Sequence, residues 1–337
     1  VDVLPDTPVL PAPQAPIYTV GRTEAADALV QKLVEHGALR WSESLSGAAG
    51  ALALSSEPTT LTDARWAAVR AGYPYAVHAV IRGDESPGAW PTGLAQRLSE
   101  VAGAGVELGI ARARGPGIDR WVVLVSRPAL MLNSFPRELA LGETLRVTGS
   151  AGQWRLAGPD HVLREGQLPL ELPVDLAGEW WLEVRSGARA GAVQVPIFVG
   201  VETPVAPLFD EGPVVAGPDE LQRRAWELVD VAREEYGVAP FHRDAGLQAL
   251  AAQPLERLVA GEWTLAAGVE RLRKAGFVGG PAHQLACTAP KPALCVAQWL
   301  ESAEDRVVLL DRRYKLAGLA GQARGDGVSL LLNLSAD

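Results

Sequence analysis

QWLESAEDRVVLLDRRYKLAGLAGQARGDGVSLLLNL, residues 298–334, reads as a short helix, an acidic and basic turn, and two strands joined by a tight Gly-Asp-Gly turn. Both strand runs are apolar and bounded by turn residues, and Arg-Gly-Asp-Gly supplies the positive φ that a short hairpin needs. Turn chemistry therefore accounts for the Arg-Gly-Asp tripeptide without an adhesion partner. A similar ending lies earlier in the chain. ELGIARARGPGIDRWVVLVS at 107–126 parallels LAGLAGQARGDGVSLLLNLS at 316–335, each with Ala-Arg-Gly before the turn. RWAAVRAGYPYAVHAVI at 65–81 likewise parallels VERLRKAGFVGGPAHQLA at 269–286; both carry a basic helix end, Ala-Gly-aromatic, and a His six or seven residues after the Gly. Matches in the same order predict a duplicated domain.

Working outward, TEAADALVQKLVEHGALRW at 23–41 places Ala26, Leu29, Val30, Leu33 and Val34 at helical spacing, with Thr23 as cap and Gly37 as stop. Further helical runs lie at 42–55, at 61–72 with Thr62 as cap, and at 94–105, before the first hairpin. From about 133 to 201, short alternating runs are punctuated by Gly, Pro and Asp every eight to twelve residues. That pattern predicts a β-sandwich of seven short strands. The Trp180-Trp181 pair should place one ring in its core and one outside, because successive strand residues face opposite ways. Helical periodicity returns after a Pro-rich linker. The predicted organisation is an extended Pro-rich arm at 1–19, a first helical and strand domain at 20–130, an immunoglobulin-like β-sandwich at 131–202, a linker at 203–217 and a second mixed domain at 218–337.

Composition narrows the classes of function. The chain has 337 residues, 48% hydrophobic and 21% charged, which suits several packed domains. A formal charge of -9 and the lack of any Lys/Arg run exclude nucleic acid as an expected partner. No apolar run approaches the roughly 18 residues that a membrane helix needs. The opening VDVLPDTPVLPAPQAPIYTV resembles the Pro-rich start of an exported protein after removal of its signal segment, and a lipid anchor could sit on this arm. In an exported chain, the closely spaced pair Cys287 and Cys295 predicts one local disulfide, contributing about 2 to 3 kcal/mol. Together with His283 these cysteines fit no common zinc spacing. No nucleophile elbow, Walker loop or His-Glu-x-x-His motif is present, and the five His are scattered.

LVDVAREEYGVAPFHRDAGLQALA at 228–251, HQLA at 283–286 and the stretch from Trp299 to Leu334 together resemble the CAP superfamily of cysteine-rich secretory, antigen 5 and pathogenesis-related proteins, in its bacterial SCP-like form. Asp230 stands where the family's Asn-x-x-Arg motif has Asn, and Arg233 matches its Arg. The likeness extends more faintly to the first domain through the repeat. It implies an α+β architecture: two α-β-α sandwich domains flanking the all-β sandwich. It also implies a cleft that gathers two His and a Glu around a divalent metal. Here every such position departs. The helical His falls at Gln253 or Pro254, Glu-Asn at His283-Gln284, and the second His at Asp305, while Trp299, Ser302 and Arg306 keep the frame of that loop. In the first copy the positions fall near Leu52 and at His78.

The degenerate cleft candidates are thus His283, Gln284, Asp305, Arg306, Gln253 and His78, with no catalytic residue, metal or cofactor expected. The reading is an exported protein, periplasmic, cell-surface or extracellular, acting without catalysis as a binding, adhesion or structural component toward a protein or cell-envelope partner. Two alternatives remain open: a hydrolase or metal-dependent enzyme acting on cell-wall or protein substrates through His283 and Asp305 in exchanged roles, and a small-lipid carrier.

Overall fold

A computed structural model describes residues 17–19, 28–55, 59–86, 89–114, 117–128, 130–133, 135–186, 192–204, 206–209, 217–255, 257, 265–277, 281–324 and 327–336. Most of the Pro-rich arm, Thr23 and the Gly325-Asp326 turn lie outside these residues. The chain divides into two units, Val1–Pro128 and Ala129–Asp337.

In the first unit, α1 (Ala28–Glu35) ends at Gly37, whose φ of +74° is left-handed backbone that favours glycine. The chain continues through β2 (Arg40–Trp41), α2 (Glu43–Ala53), α3 (Leu61–Arg70), β3 (Val77–Glu85), α4 (Leu94–Val101), β4 (Glu107–Arg114) and β5 (Asp119–Ser126), preceded by β1 (Ile17–Thr19). The cap of α3 is Thr60 rather than the expected Thr62. Thr60 Oγ1 accepts from Asp63 N while the Asp63 carboxylate accepts from Thr60 N, a reciprocal box that only this spacing allows. The sheet order is β1-β4-β5-β3, with β2 parallel to β4. On one face Val30, Val34, Leu94 and Leu98 of α1 and α4 cover Leu108, Ile110, Trp121 and Val123. On the other, α2 lies so close to β4 that a Cβ on Gly109 would overlap the Leu45 carbonyl.

The second unit begins with seven strands among the described residues: β6 (Glu138–Leu139), β7 (Thr144–Val147), β8 (Gln153–Ala157), β9 (Leu163–Gln167), β10 (Leu170–Pro173), β11 (Gly178–Arg185) and β12 (Ala192–Val199). One sheet runs β6-β12-β11-β8-β9 and the other pairs β10 with β7. Then follow α5 (Pro218–Glu235), β13 (His242–Arg243), α6 (Ala245–Ala252), α7 (Leu265–Lys274), β14 (Ala282–Ala289), α8 (Pro292–Glu301), α9 (Ala303–Leu309), β15 (Leu316–Arg324) and β16 (Gly327–Ser335). The expected acidic and basic turn after Glu301 is therefore a helix, α9. Ser302 caps it by accepting from Asp305 N, and Glu304 and Asp305 occupy the first turn, where acidic side chains favour helix formation.

The sheet β13-β15-β16-β14 has β13 parallel to β15, as β2 is to β4. Trp226, Val229, Val296 and Trp299 of α5 and α8 cover Leu319, Leu332 and Leu285 on one face, and α6 packs on the other. A Cβ on Gly318 would overlap the backbone of Leu247 and Gln248. Gly318 lies opposite Asn333 and Gly109 opposite Leu124, so the two glycines hold one place in two sheets with the same strand order. Arg233 Nη1 donates to Leu309 O at 2.5 Å and its Nε to Ala239 O at 2.7 Å, which fixes the end of α5 to the chain around it. Cys287 of β14 and Cys295 of α8 form a disulfide with a Cα separation of 5.4 Å.

Because each glycine lets helix backbone rest on strand backbone, Gly318→Ala is expected to destabilise the second unit by about 3 kcal/mol or more, read as a shift in denaturant midpoint. Gly276→Ala, whose left-handed φ of +96° faces open space, should cost about 1 kcal/mol.

Candidate functional site

The segment Ser302–Arg306 sits where the β-sandwich meets the second α-β-α layer, within one unit. Arg306 is 3% exposed. Its Nη1 donates to Leu300 O at 3.1 Å and its Nη2 to Glu179 Oε2 at 3.0 Å, and its guanidinium lies 4.2 Å from the Tyr236 ring centroid. Glu179, on β11, also accepts from Tyr236 Oη at 2.6 Å and, through Oε1, from Trp181 Nε1 at 2.7 Å. Burial and the neighbouring Glu179 carboxylate push the Tyr236 hydroxyl well above its ordinary range, so it stays a donor, although the Arg306 charge pulls the other way.

Four residues along the same strand from Glu179, the fully buried Glu183 side chain accepts from Ala303 N at 3.2 Å and pairs with Arg185. The first turn of α9 is thus held by its own Ser302 and by a carboxylate of the sandwich. Arg155 of β8 pairs with Glu304. Ala157, Trp181 and Ala303, with Leu163 and Val307, form the apolar patch between these charges. Both tryptophans are buried. Trp181, on the outer face of β11, is covered by α9, while Trp180 Nε1 donates to Leu176 O at 3.0 Å.

The other predicted positions have separate surroundings. Gln284 is buried on β14, and its amide donates to Asn333 Oδ1 at 2.6 Å; Asn333 in turn donates to Leu247 O at 3.0 Å. Gly268 of α7 leaves room for that amide. This is a satisfied structural chain between sheet and helix. Burial holds the His283 imidazole below its usual range, while the nearby Glu304 carboxylate acts in the opposite direction. Burial raises the Asp305 carboxyl to about 6, against the Ser302 hydrogen bond, with Glu304 and Glu183 adding to the rise. Gln253 is exposed at the end of α6, and Pro254 is buried beside it. In the first unit, His78 sits at a bulge of β3 and accepts from Arg127 N at 3.2 Å. Partial burial, followed by the Arg65 and Arg127 charges, lowers its pKa.

The structure therefore gathers Asp305, Arg306 and Glu304 with Glu179, Glu183 and Arg155; Gln253 has no hydrogen bond or ion pair with them among the described residues, and His78 belongs to the first unit. Among the described residues, no group of three or more His, Cys, Asp or Glu side chains could hold a metal ion. No helix among them is long and apolar enough to cross a membrane. Sequence reading missed Glu179, Glu183 and Arg155. The only available signal was a strand that places Glu179, Trp181 and Glu183 on one face.

No family model matches the chain, and no curated protein does. Solved structures similar to it include an outer surface protein from Borrelia burgdorferi, at 11% identity over 34% of this chain and 92% of that one, with a TM-score of 0.31. A cysteine-rich secretory protein from Staphylococcus aureus is 13% identical over 68% of this chain and 82% of its own, with a TM-score of 0.31. An extracellular protein containing an SCP domain from Bacillus anthracis is 14% identical over 67% and 81%, with a TM-score of 0.28.

A carboxyl raised in the folded state contributes stability that is fully present below its unfolded pKa, near 4, and is lost as pH rises through about 6. Asp305→Asn should therefore match the parent near pH 4 and exceed it at pH 8 by about 1 to 2 kcal/mol, allowing for partial solvent screening. Burial first and foremost depresses His78, His161 and His283, which oppose this trend in both proteins and cancel in the difference. Melting curves of the pair across pH 4 to 8 test it; a gap that stays constant with pH would contradict the buried position of Asp305.

Proposed function

We propose that this protein is an exported, non-enzymatic binding, adhesion or structural component, built from two CAP-like domains that flank an immunoglobulin-like sandwich. The observation that carries this reading is the use made of Ser302–Arg306. Where the family resemblance puts a cleft loop, this chain has a helix capped by its own Ser302 and joined to the sandwich through Ala303 N on Glu183 and Arg306 on Glu179. Side chains committed to a domain junction are not free to bind and turn over a substrate. Gln284 is similarly committed, to Asn333.

Duplication of the CAP-like domain is supported by the common strand order and by the matched helix contacts of Gly109 and Gly318. The buried Cys287–Cys295 disulfide supports an oxidising, extracytoplasmic location. Rigid coupling of a sandwich to an α-β-α domain suits a protein that presents surfaces at fixed spacing to a protein or envelope partner. The Pro-rich arm would serve as its tether or lipid-anchored stalk.

One observation favours a second reading. Burial raises the Asp305 carboxyl to about 6, near the range of a general acid or base, and both Asp305 and His283 feel the Glu304 carboxylate. Incubation of the purified protein with cell-wall material and with unfolded protein, with and without zinc, separates the two. The binding reading predicts no turnover above that of a His283→Ala/Asp305→Asn double variant. Turnover by the parent that this variant loses would establish the hydrolase.

A further inference from the structure

The place that the disulfide fills in the second unit is a cavity in the first. Gly83 of β3 lies opposite Trp121, three residues before Leu124, the partner of Gly109. Cys287 of β14 lies opposite Leu330, three residues before Asn333, the partner of Gly318. Gly83 and Cys287 thus occupy one position in the two sheets. Arg97 is the fourth residue of α4, as Cys295 is of α8. Where the second unit ties strand to helix through sulfur, the first has a glycine without a side chain and an arginine that is exposed and has no side-chain partner among the described residues.

The result is a cavity of about 200 Å³ between the outer part of β3 and the first turn of α4. Ile81, Trp121, Val123 and Leu94 line its apolar floor, and Glu85 and Arg97 stand at its edge. Ile81, Gly83 and Glu85 share one face by strand alternation. The Glu85 carboxylate accepts from Thr92 N at 3.1 Å through Oε1, which leaves acceptor capacity on its second oxygen. The volume equals the share of about seven liquid waters, below the roughly 300 Å³ at which drug-sized sites begin.

We propose that this cavity binds a small zwitterion with an apolar body, an aliphatic or aromatic α-amino acid, with its carboxylate on Arg97 and its ammonium on Glu85. A plain carboxylate would meet repulsion from Glu85, and a plain amine would meet repulsion from Arg97; a molecule carrying both charges matches both groups. The apolar side chain rests chiefly on Ile81, since Trp121 is 3% exposed and already packs against Trp90. This site is separate from the junction around Arg306 and stands or falls without it.

Calorimetric titration of the full chain with L-leucine and L-phenylalanine, up to about 10 mM, tests the assignment. Saturable binding is expected, at least tenfold weaker for 4-methylpentanoate, which lacks the ammonium, and for 3-methylbutylamine, which lacks the carboxylate. Arg97→Gln and Glu85→Gln should each weaken leucine tenfold or more. Gly83→Val should abolish binding with little change in melting temperature, because the nearest atom to a Cβ there is Glu85 Oε1 at 4.0 Å. Absence of binding by the parent, equal binding of either truncated analogue, or binding that survives Gly83→Val would overturn the proposal.

Discussion

The carboxylate of Glu179 is the constraint on which the second unit depends. It takes hydrogen bonds from Arg306, Tyr236 and Trp181, three side chains from three elements, two of them outside the sandwich. A buried ion pair of this kind adds little net stability compared with well-packed apolar groups, since desolvation offsets much of the attraction. Removing one partner is a different matter, because it strands the other charge in a nearly dry site. The network therefore acts mainly as specification: it admits one placement of α9 on β11. The second carboxylate, Glu183, adds the orientation of the helix, because it can reach Ala303 N only when the first turn faces the strand.

Two of the positions that the sequence resemblance singles out, Gln284 and Arg306, are committed to packing within the second unit. The fold needs a helix resting on a strand at Gly109 and at Gly318, and both are kept. Cleft chemistry needs imidazole and carboxylate groups turned toward a common solvent-filled point. Gln284 is instead turned toward Asn333, and Arg306 toward the sandwich. Helix α9, between α8 and β15, is the element that packs on the sandwich.

Much of the fold was legible because its signals are local. Gly37 as a helix stop, the paired hairpins, and the short alternating runs of the sandwich each follow from φ preferences or side-chain alternation within a few residues. Failures came where a local signal had two readings. Ser302 with Glu304 and Asp305 reads as part of an acidic and basic turn, although the same letters are a helix cap with an acidic first turn. Thr62 fits the helix-start pattern as Thr60 does, but only Thr60 gains the return contact from Asp63. Strand alternation predicts one ring of Trp180-Trp181 outside and does turn Trp181 outward, but α9 covers it. Glu179, Glu183 and Arg155 were invisible as a site because their partners lie more than 50 residues away in sequence.

A double-mutant cycle between Glu179 and Arg306 tests the central claim most directly. Stabilities of the parent, Glu179→Gln, Arg306→Met and the double variant give their coupling free energy without the separate costs of truncation. The account predicts a coupling of about 2 kcal/mol or more, as expected for a buried, hydrogen-bonded charge pair. Additive effects, with coupling below about 0.5 kcal/mol, would mean that the two residues do not meet in the folded protein, and that Ser302–Arg306 is not a junction.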